Sequence, residues 1–179
     1  MKNVVVTILL LFCMLIANAQ NKRLWGGIEV GYGYTLAKKE NVYGICYPNS
    51  NSFSSIQAVL GYYAIEDKLS IGISSGLYGY SNPGLNILPL LLNLKLHPFN
   101  NRNIILGGNL GYSLLTNETN FKAGLLMDAF VGYKICNIWK VSVIPSFGYN
   151  FCQYSVNGTD GIKHNNNKNS IFLKLGLAF

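Results

Sequence analysis

Enzymatic chemistry needs a base beside a nucleophile, or two acids close together, held within hydrogen-bond reach of each other. This sequence offers little of either. It has two histidines, His97 and His164, and seven carboxylates against fourteen Lys and Arg, for a formal net charge of +7. Glu29 and Asp128 invite comparison with a catalytic carboxylate pair. Lys95 and Lys174 share their pattern position, however, so the four read as an internal salt-bridge network rather than an acid/base site. Cys13, Cys46, Cys136 and Cys152 show no metal-ligand spacing. The basic residues are scattered, without an Arg-rich patch or an aromatic RNA-binding motif, so no nucleic-acid partner is expected. The sequence predicts no enzyme, no metal and no cofactor.

The elements that hold these residues begin after a targeting segment. Lys2 gives a positive start, Val4 to Ala17 an apolar core of about fourteen residues, and Ala17-Asn18-Ala19 a small-residue cleavage pattern before Gln20. Residues 1–19 are expected to be a helical signal peptide that is removed, and residues 20–179 to form one exported domain. An uncleaved anchor is the alternative. No later run reaches the roughly twenty apolar residues of a membrane helix.

The mature chain alternates with a period of two, the signature of strands. The last ten residues show it most clearly. Ile171, Leu173, Leu175, Leu177 and Phe179 share one face, and Ser170, Phe172, Lys174, Gly176 and Ala178 the other. From 23 to 36, Leu24, Ile28, Val30, Tyr32 and Tyr34 oppose Gly27, Glu29, Gly31 and Gly33. Further strands are expected over 53–65, 69–80, about 88–96, 104–115, 121–134 and from Trp139 to Cys152. Short turns fall at 66–68, 97–103 and near 136–137. Residues 37–52 and 153–168 are polar and read as two long loops. Pro89 falls near a strand start, whereas Pro145 falls mid-strand and implies a bulge or a break.

Charge obeys the same parity. Glu29, Lys95, Lys122, Asp128, Lys134, Lys140 and Lys174 all take the face opposite the continuous apolar one. Aromatic residues on the apolar face gather at strand ends: Tyr32, Tyr34, Tyr112, Phe121, Tyr149 and Phe151 at one rim, Tyr62, Tyr133, Trp139 and Phe179 at the other. A lipid-facing band with charges kept off it and aromatic girdles at its edges produces this distribution. The expected fold is all-β: an eight-stranded antiparallel up-and-down transmembrane barrel whose narrow lumen is filled by side chains.

An exported chain with eight alternating strands and a terminal Leu-x-Leu-x-Phe resembles the small outer-membrane β-barrel proteins of Gram-negative bacteria, the OmpA/OmpX-like group. Ile87 to Lys95 and Ile105 to Tyr112 look like strands of that group. The resemblance covers residues 23–179 and implies an outer-membrane location. It also implies that Leu173, Leu175, Leu177 and Phe179 form the signal read by the barrel-assembly machinery. It says little of activity.

Three further expectations concern the ends of the barrel. Cys46 and Cys152 fall on the same side and are candidates for a disulfide, two thiols being the alternative. Tyr43, Tyr47, Tyr154, Lys163 and His164 in the two long loops are candidate contacts for a surface or envelope partner, or for lipid. Solvated loops without a partner are the plainer reading. The function expected is structural or interactive within the outer membrane. The alternatives are an exported soluble barrel binding an apolar ligand and, with less support, a lipid-modifying barrel enzyme.

Overall fold

The structure, a computed structural model of the chain, describes residues 23–36, 41–42, 45–46, 52–81, 84–98, 103–116, 121–138, 141–157 and 163–179. The expected signal peptide lies outside the described residues. Eight long strands form the body: β1 (Leu24–Leu36), β2 (Ser52–Ile65), β3 (Leu69–Tyr80), β4 (Leu85–Leu96), β5 (Ile104–Thr116), β6 (Phe121–Tyr133), β7 (Val141–Asn157) and β8 (Lys163–Ala178). Each is antiparallel to its neighbour in sequence, and β8 closes on β1 through ten paired positions from Gly27 with Ala178 to Leu36 with Asn169. No open edge remains along that seam, which is how a membrane barrel satisfies its backbone groups without water. Two short ladders are added, Asn41–Val42 against Ile45–Cys46 and Cys136–Ile138 against the start of β7.

The register fixes the geometry of the cylinder. Trp25 pairs with Gly61, Gly61 with Gly72, Gly72 with Asn93, Asn93 with Asn109 and Asn109 with Asp128. Asp128 then pairs with Asn150, Asn150 with Ser170, and Ser170 with Thr35. One circuit thus returns to β1 ten residues from its start, a shear of ten. At about 4.7 Å between strands and about 3.3 Å per residue, that shear tilts eight strands by about 41° and sets a backbone radius of roughly 8 Å. This row of paired residues climbs the inner wall in a spiral, from the turn end at Trp25 to the loop end at Thr35.

The faces keep the parity read from the sequence. Val30, Ile56, Ile73, Leu77, Leu92, Leu110, Val131, Leu173 and Leu175 are exposed on the outside, and Glu29, Gln57, Asn93, Lys95, Asn109, Asp128 and Lys174 are buried inside. The closed antiparallel barrel expected from the alternation is therefore the fold observed. A soluble ligand barrel needs the opposite arrangement, apolar within and polar without. Tyr32, Tyr34, Tyr112 and Tyr149 project outward toward the loop end, and Tyr62 and Tyr133 toward the turn end. Phe121 and Trp139 have side chains outside the described residues.

Two expectations need correction, and that for Pro145 is met in one of its two forms. The segment 153–168 is mostly strand, because β7 continues to Asn157 and β8 starts at Lys163. Beyond the apolar band the outward face is free to be polar, so an Asn-rich sequence loses the alternation that marks a strand while its backbone still pairs. Lys122, assigned inward, is exposed near the loop end of β6. Pro145 leaves β7 unbroken. It stays paired with Leu175 on the β8 side, and the interruption falls on the β6 side, between Val143 paired with Cys136 and Ser146 paired with Gly132. Three steps along β7 there oppose four on the β6 side, so the missing proline donor is absorbed by a one-residue bulge in the neighbour, the bulge and not the break that the sequence allowed. Pro89 sits at a register shift between β4 and β5, where a lost donor is tolerated.

Candidate functional site

The lumen is where the chain concentrates its polar chemistry. Inward positions on a strand recur every second residue, so each strand supplies several groups to one narrow space. At the centre sits Asp128, from β6. Its Oδ2 accepts from Lys174 Nζ at 2.8 Å, from Asn109 Nδ2 at 3.0 Å and lies 2.9 Å from the Tyr78 hydroxyl. Its Oδ1 accepts from Asn150 Nδ2 at 2.6 Å. Asn109 Oδ1 accepts in turn from Asn93 Nδ2 at 2.6 Å, and Asn150 Oδ1 from the Tyr80 hydroxyl at 2.7 Å.

A second cluster joins the first through Tyr78. Its hydroxyl lies 2.7 Å from Gln57 Oε1, and its single proton serves either that oxygen or Asp128. Gln57 Nε2 donates to Glu29 Oε2, while Lys95 Nζ donates to Glu29 Oε1 at 2.8 Å. The connected network draws Glu29, Gln57, Tyr78, Lys95, Asn109, Asp128, Asn150 and Lys174 from β1 to β8 in order, at least one from every strand, with Tyr80 and Asn93 as second members from β3 and β4. Both buried carboxylates, Glu29 and Asp128, have an opposite charge and neutral hydrogen-bond partners, the condition under which burial of ions is tolerated. Aromatic rings complete the enclosure: Lys174 Nζ lies 4.5 Å from the centre of the Phe172 ring and Lys95 Nζ 4.2 Å from that of Trp25.

Toward the loop end the lumen turns apolar. Phe53, Tyr78, Tyr80, Leu85, Ile87, Leu91, Leu126, Phe130, Cys152, Tyr154 and Phe172 form one buried cluster, with the Phe53 ring tilted against that of Tyr80 at 5.1 Å between centres. Glycines make room for it. A Cβ at Gly107 would collide with the Phe130 ring; at the turn end, one at Gly61 would collide with the Trp25 indole. Small residues on one strand face large ones from the next, which is how eight strands pack an interior of this radius.

Of the charged residues singled out by parity, Glu29 with Lys95 and Asp128 with Lys174 form two ion pairs inside the lumen. Tyr154, expected on a surface loop, is instead buried in the lumen cluster, because it keeps inward parity on the extended β7. Lys163 and His164 belong to β8, paired with Asn157 and Val156, and not to a loop. Tyr43 and Tyr47 lie outside the described residues. Cys152 is a thiol buried in the lumen, and the Cys46 side chain lies outside the described residues. Cys152 sits with Tyr80 and Phe172 in the buried lumen cluster.

Gln57, Tyr78, Tyr80, Asn93, Asn109 and Asn150 complete the network and were not singled out by charge. Their inward parity was the available signal; Tyr78 and Tyr80, for example, continue the inward series Ser70, Gly72, Ser74 and Gly76 on β3. His97 lies at the turn end with its ring 6.4 Å from that of Tyr63. Among the described residues no cluster of His, Cys, Asp and Glu could hold a metal ion.

No known family profile matches the sequence, and no curated protein matches it. Among solved structures, the chain is similar to the outer membrane protein AlkL, determined in DMPC lipid bilayers, at 14% identity and a TM-score of 0.53. The match covers 88% of this chain and 89% of AlkL. The outer membrane protein OprG from Pseudomonas aeruginosa is also similar, at 14% identity and a TM-score of 0.42, over 87% of this chain and 94% of that one. At such identities the likeness to AlkL is one of fold.

Proposed function

We propose that this protein is an integral outer-membrane barrel with a closed lumen, serving the cell envelope as a structural or interaction element rather than as a pore or an enzyme. One observation carries the reading: every strand contributes to a single buried polar network, while the outer wall is a continuous apolar band. The first feature leaves the interior filled and the second requires lipid around it. The OmpA/OmpX-like resemblance and the fold shared with AlkL support the same location. Export through the segment 1–19 and reading of Leu173, Leu175, Leu177 and Phe179 by the assembly machinery belong to this proposal.

Fractionation and gel migration with and without boiling test it, together with conductance in planar bilayers. The protein is expected in the outer membrane after carbonate extraction, with faster migration before boiling and no conductance steps. Recovery in the soluble periplasm would sink the membrane assignment. Steady single-channel currents would sink the closed lumen while leaving the membrane assignment intact.

A further inference from the structure

The outer wall is not filled evenly. Across β1 to β4 it carries a furrow of about 180 Å³ bordered by Leu60, Ile73, Leu90 and Phe179. The register accounts for it. Gly26 pairs with Leu60 and Leu60 with Ile73, while on the next outward row Ala58 pairs with Ser75 and Ser75 with Leu90. Gly26, Ala58 and Ser75 thus bring three small residues together in a wall otherwise built of Leu, Ile and Val. Ser75 adds little polarity, because its hydroxyl donates to Pro89 O at 2.8 Å beside the register shift between β4 and β5. The strand tilt lifts each row by about 3 Å per strand toward the loop end. The furrow therefore rises obliquely, from the Phe179 ring over Gly26 toward Leu90.

The rim nearest its lower end is polar. Tyr62 follows Leu60 on the outer face of β2, and its hydroxyl accepts from Arg23 Nη1 at 3.1 Å. Arg23 is exposed, and Tyr62 takes one of its five N–H donors. Its planar fork suits the oxygens of a phosphate. Glu66, in the β2–β3 turn, lies within electrostatic reach of Arg23. On this side of the rim Arg23 and Lys68 face Glu66, Asp67 and the carboxylate end at Phe179, and Lys134 lies across the barrel after β6. That balance is not cationic, so it does not favour a head with net negative charge. A head carrying both a phosphate and an ammonium finds Arg23 for the first and Glu66 for the second.

We propose that the furrow and its rim bind one zwitterionic phospholipid with a primary-amine head, its phosphate on Arg23, its ammonium on Glu66 and an acyl chain over Ala58 and Ser75. Two features decide the occupant. The furrow is continuous with the apolar outer wall, and its lower end meets a neighbouring cation and anion at the rim. The proposal rests on the outer-membrane reading of the barrel. Binding is read on purified protein and location on fractionated cells, so the two fail separately.

The experiment is native mass spectrometry of the whole refolded protein in detergent micelles. Phosphatidylethanolamine and phosphatidylglycerol with identical acyl chains are titrated in separate arms. One phosphatidylethanolamine is expected to bind saturably, with phosphatidylglycerol about tenfold weaker. Ala58→Leu, which fills the furrow, and Arg23→Gln are each expected to weaken phosphatidylethanolamine binding about tenfold. Glu66→Gln should abolish the preference between the two lipids. Ala129→Leu, at an exposed position on β6 across the barrel, should leave binding unchanged, and every variant should keep the boiling-dependent gel shift. No saturable binding, or unchanged binding in Ala58→Leu, would overturn the site. Equal affinity of the parent for both lipids would overturn the zwitterionic head. A dimer that Ala58→Leu disperses would assign the furrow to a second copy of the chain instead.

Discussion

Lys174 Nζ lies 2.8 Å from Asp128 Oδ2 across the lumen, joining β8 to β6 over 46 residues of sequence. Neither side chain has appreciable contact with solvent. Such a pair adds little net stability over a well-packed apolar replacement, yet removing one partner strands the other charge in a dry interior.

Asp128→Ala is therefore expected to destabilise the barrel by about 3–5 kcal/mol. Asp128→Leu combined with Lys174→Met should recover most of that loss. Urea unfolding in lipid vesicles, followed by tryptophan fluorescence, gives both values. Equal losses in the single and double variants would mean that the pair is not coupled.

The outer wall makes a depth-dependent prediction. Leu175 is half-exposed on β8 beside Val30 at the middle of β1, and Leu24 lies at the turn-end rim. Leu175→Arg should cost about 2–4 kcal/mol in vesicles and Leu24→Arg about 0–1 kcal/mol. A soluble barrel would accept an arginine equally at both surface positions, so matching costs would count against lipid contact.

The Phe130 ring rests against the bare backbone of Gly107 on β5. Gly107→Val is expected to overpack the lumen and destabilise by about 1–3 kcal/mol. Gly84 has nothing within 4 Å of an added Cβ, so Gly84→Ala should stay within about 0.5 kcal/mol of the parent. The boiling-shift temperature of each variant ranks the two effects.

Phe179 closes the seam from its end. Its N–H donates to Gly26 O at 2.8 Å, its carbonyl accepts from Gly26 N at 2.9 Å, and its ring packs over Gly26. Deleting Phe179 removes both bonds at about 0.5–1.5 kcal/mol each, besides the ring contact. The urea midpoint should fall accordingly. An unchanged midpoint would show that the last pairing position contributes nothing to closure.

The alternation alone determined the strand count, the inward and outward faces and the placing of Glu29, Lys95, Asp128 and Lys174 in the lumen. Each of those is a local consequence of a period of two beside lipid, and Ile171 to Phe179 shows it without help from any other segment. The same pattern fails where lipid stops. Tyr154, Lys163 and His164 read as loop because strands outside the band are under no pressure to keep one face apolar. Which inward residue meets which was decided by the tertiary structure, since the shear of ten carries positions from all eight strands along one spiral. That register brings Asp128 to Asn109, Asn150 and Lys174, and Trp25 to Gly61. No local pattern encodes it, because sliding a strand by two residues preserves every face and changes every partner.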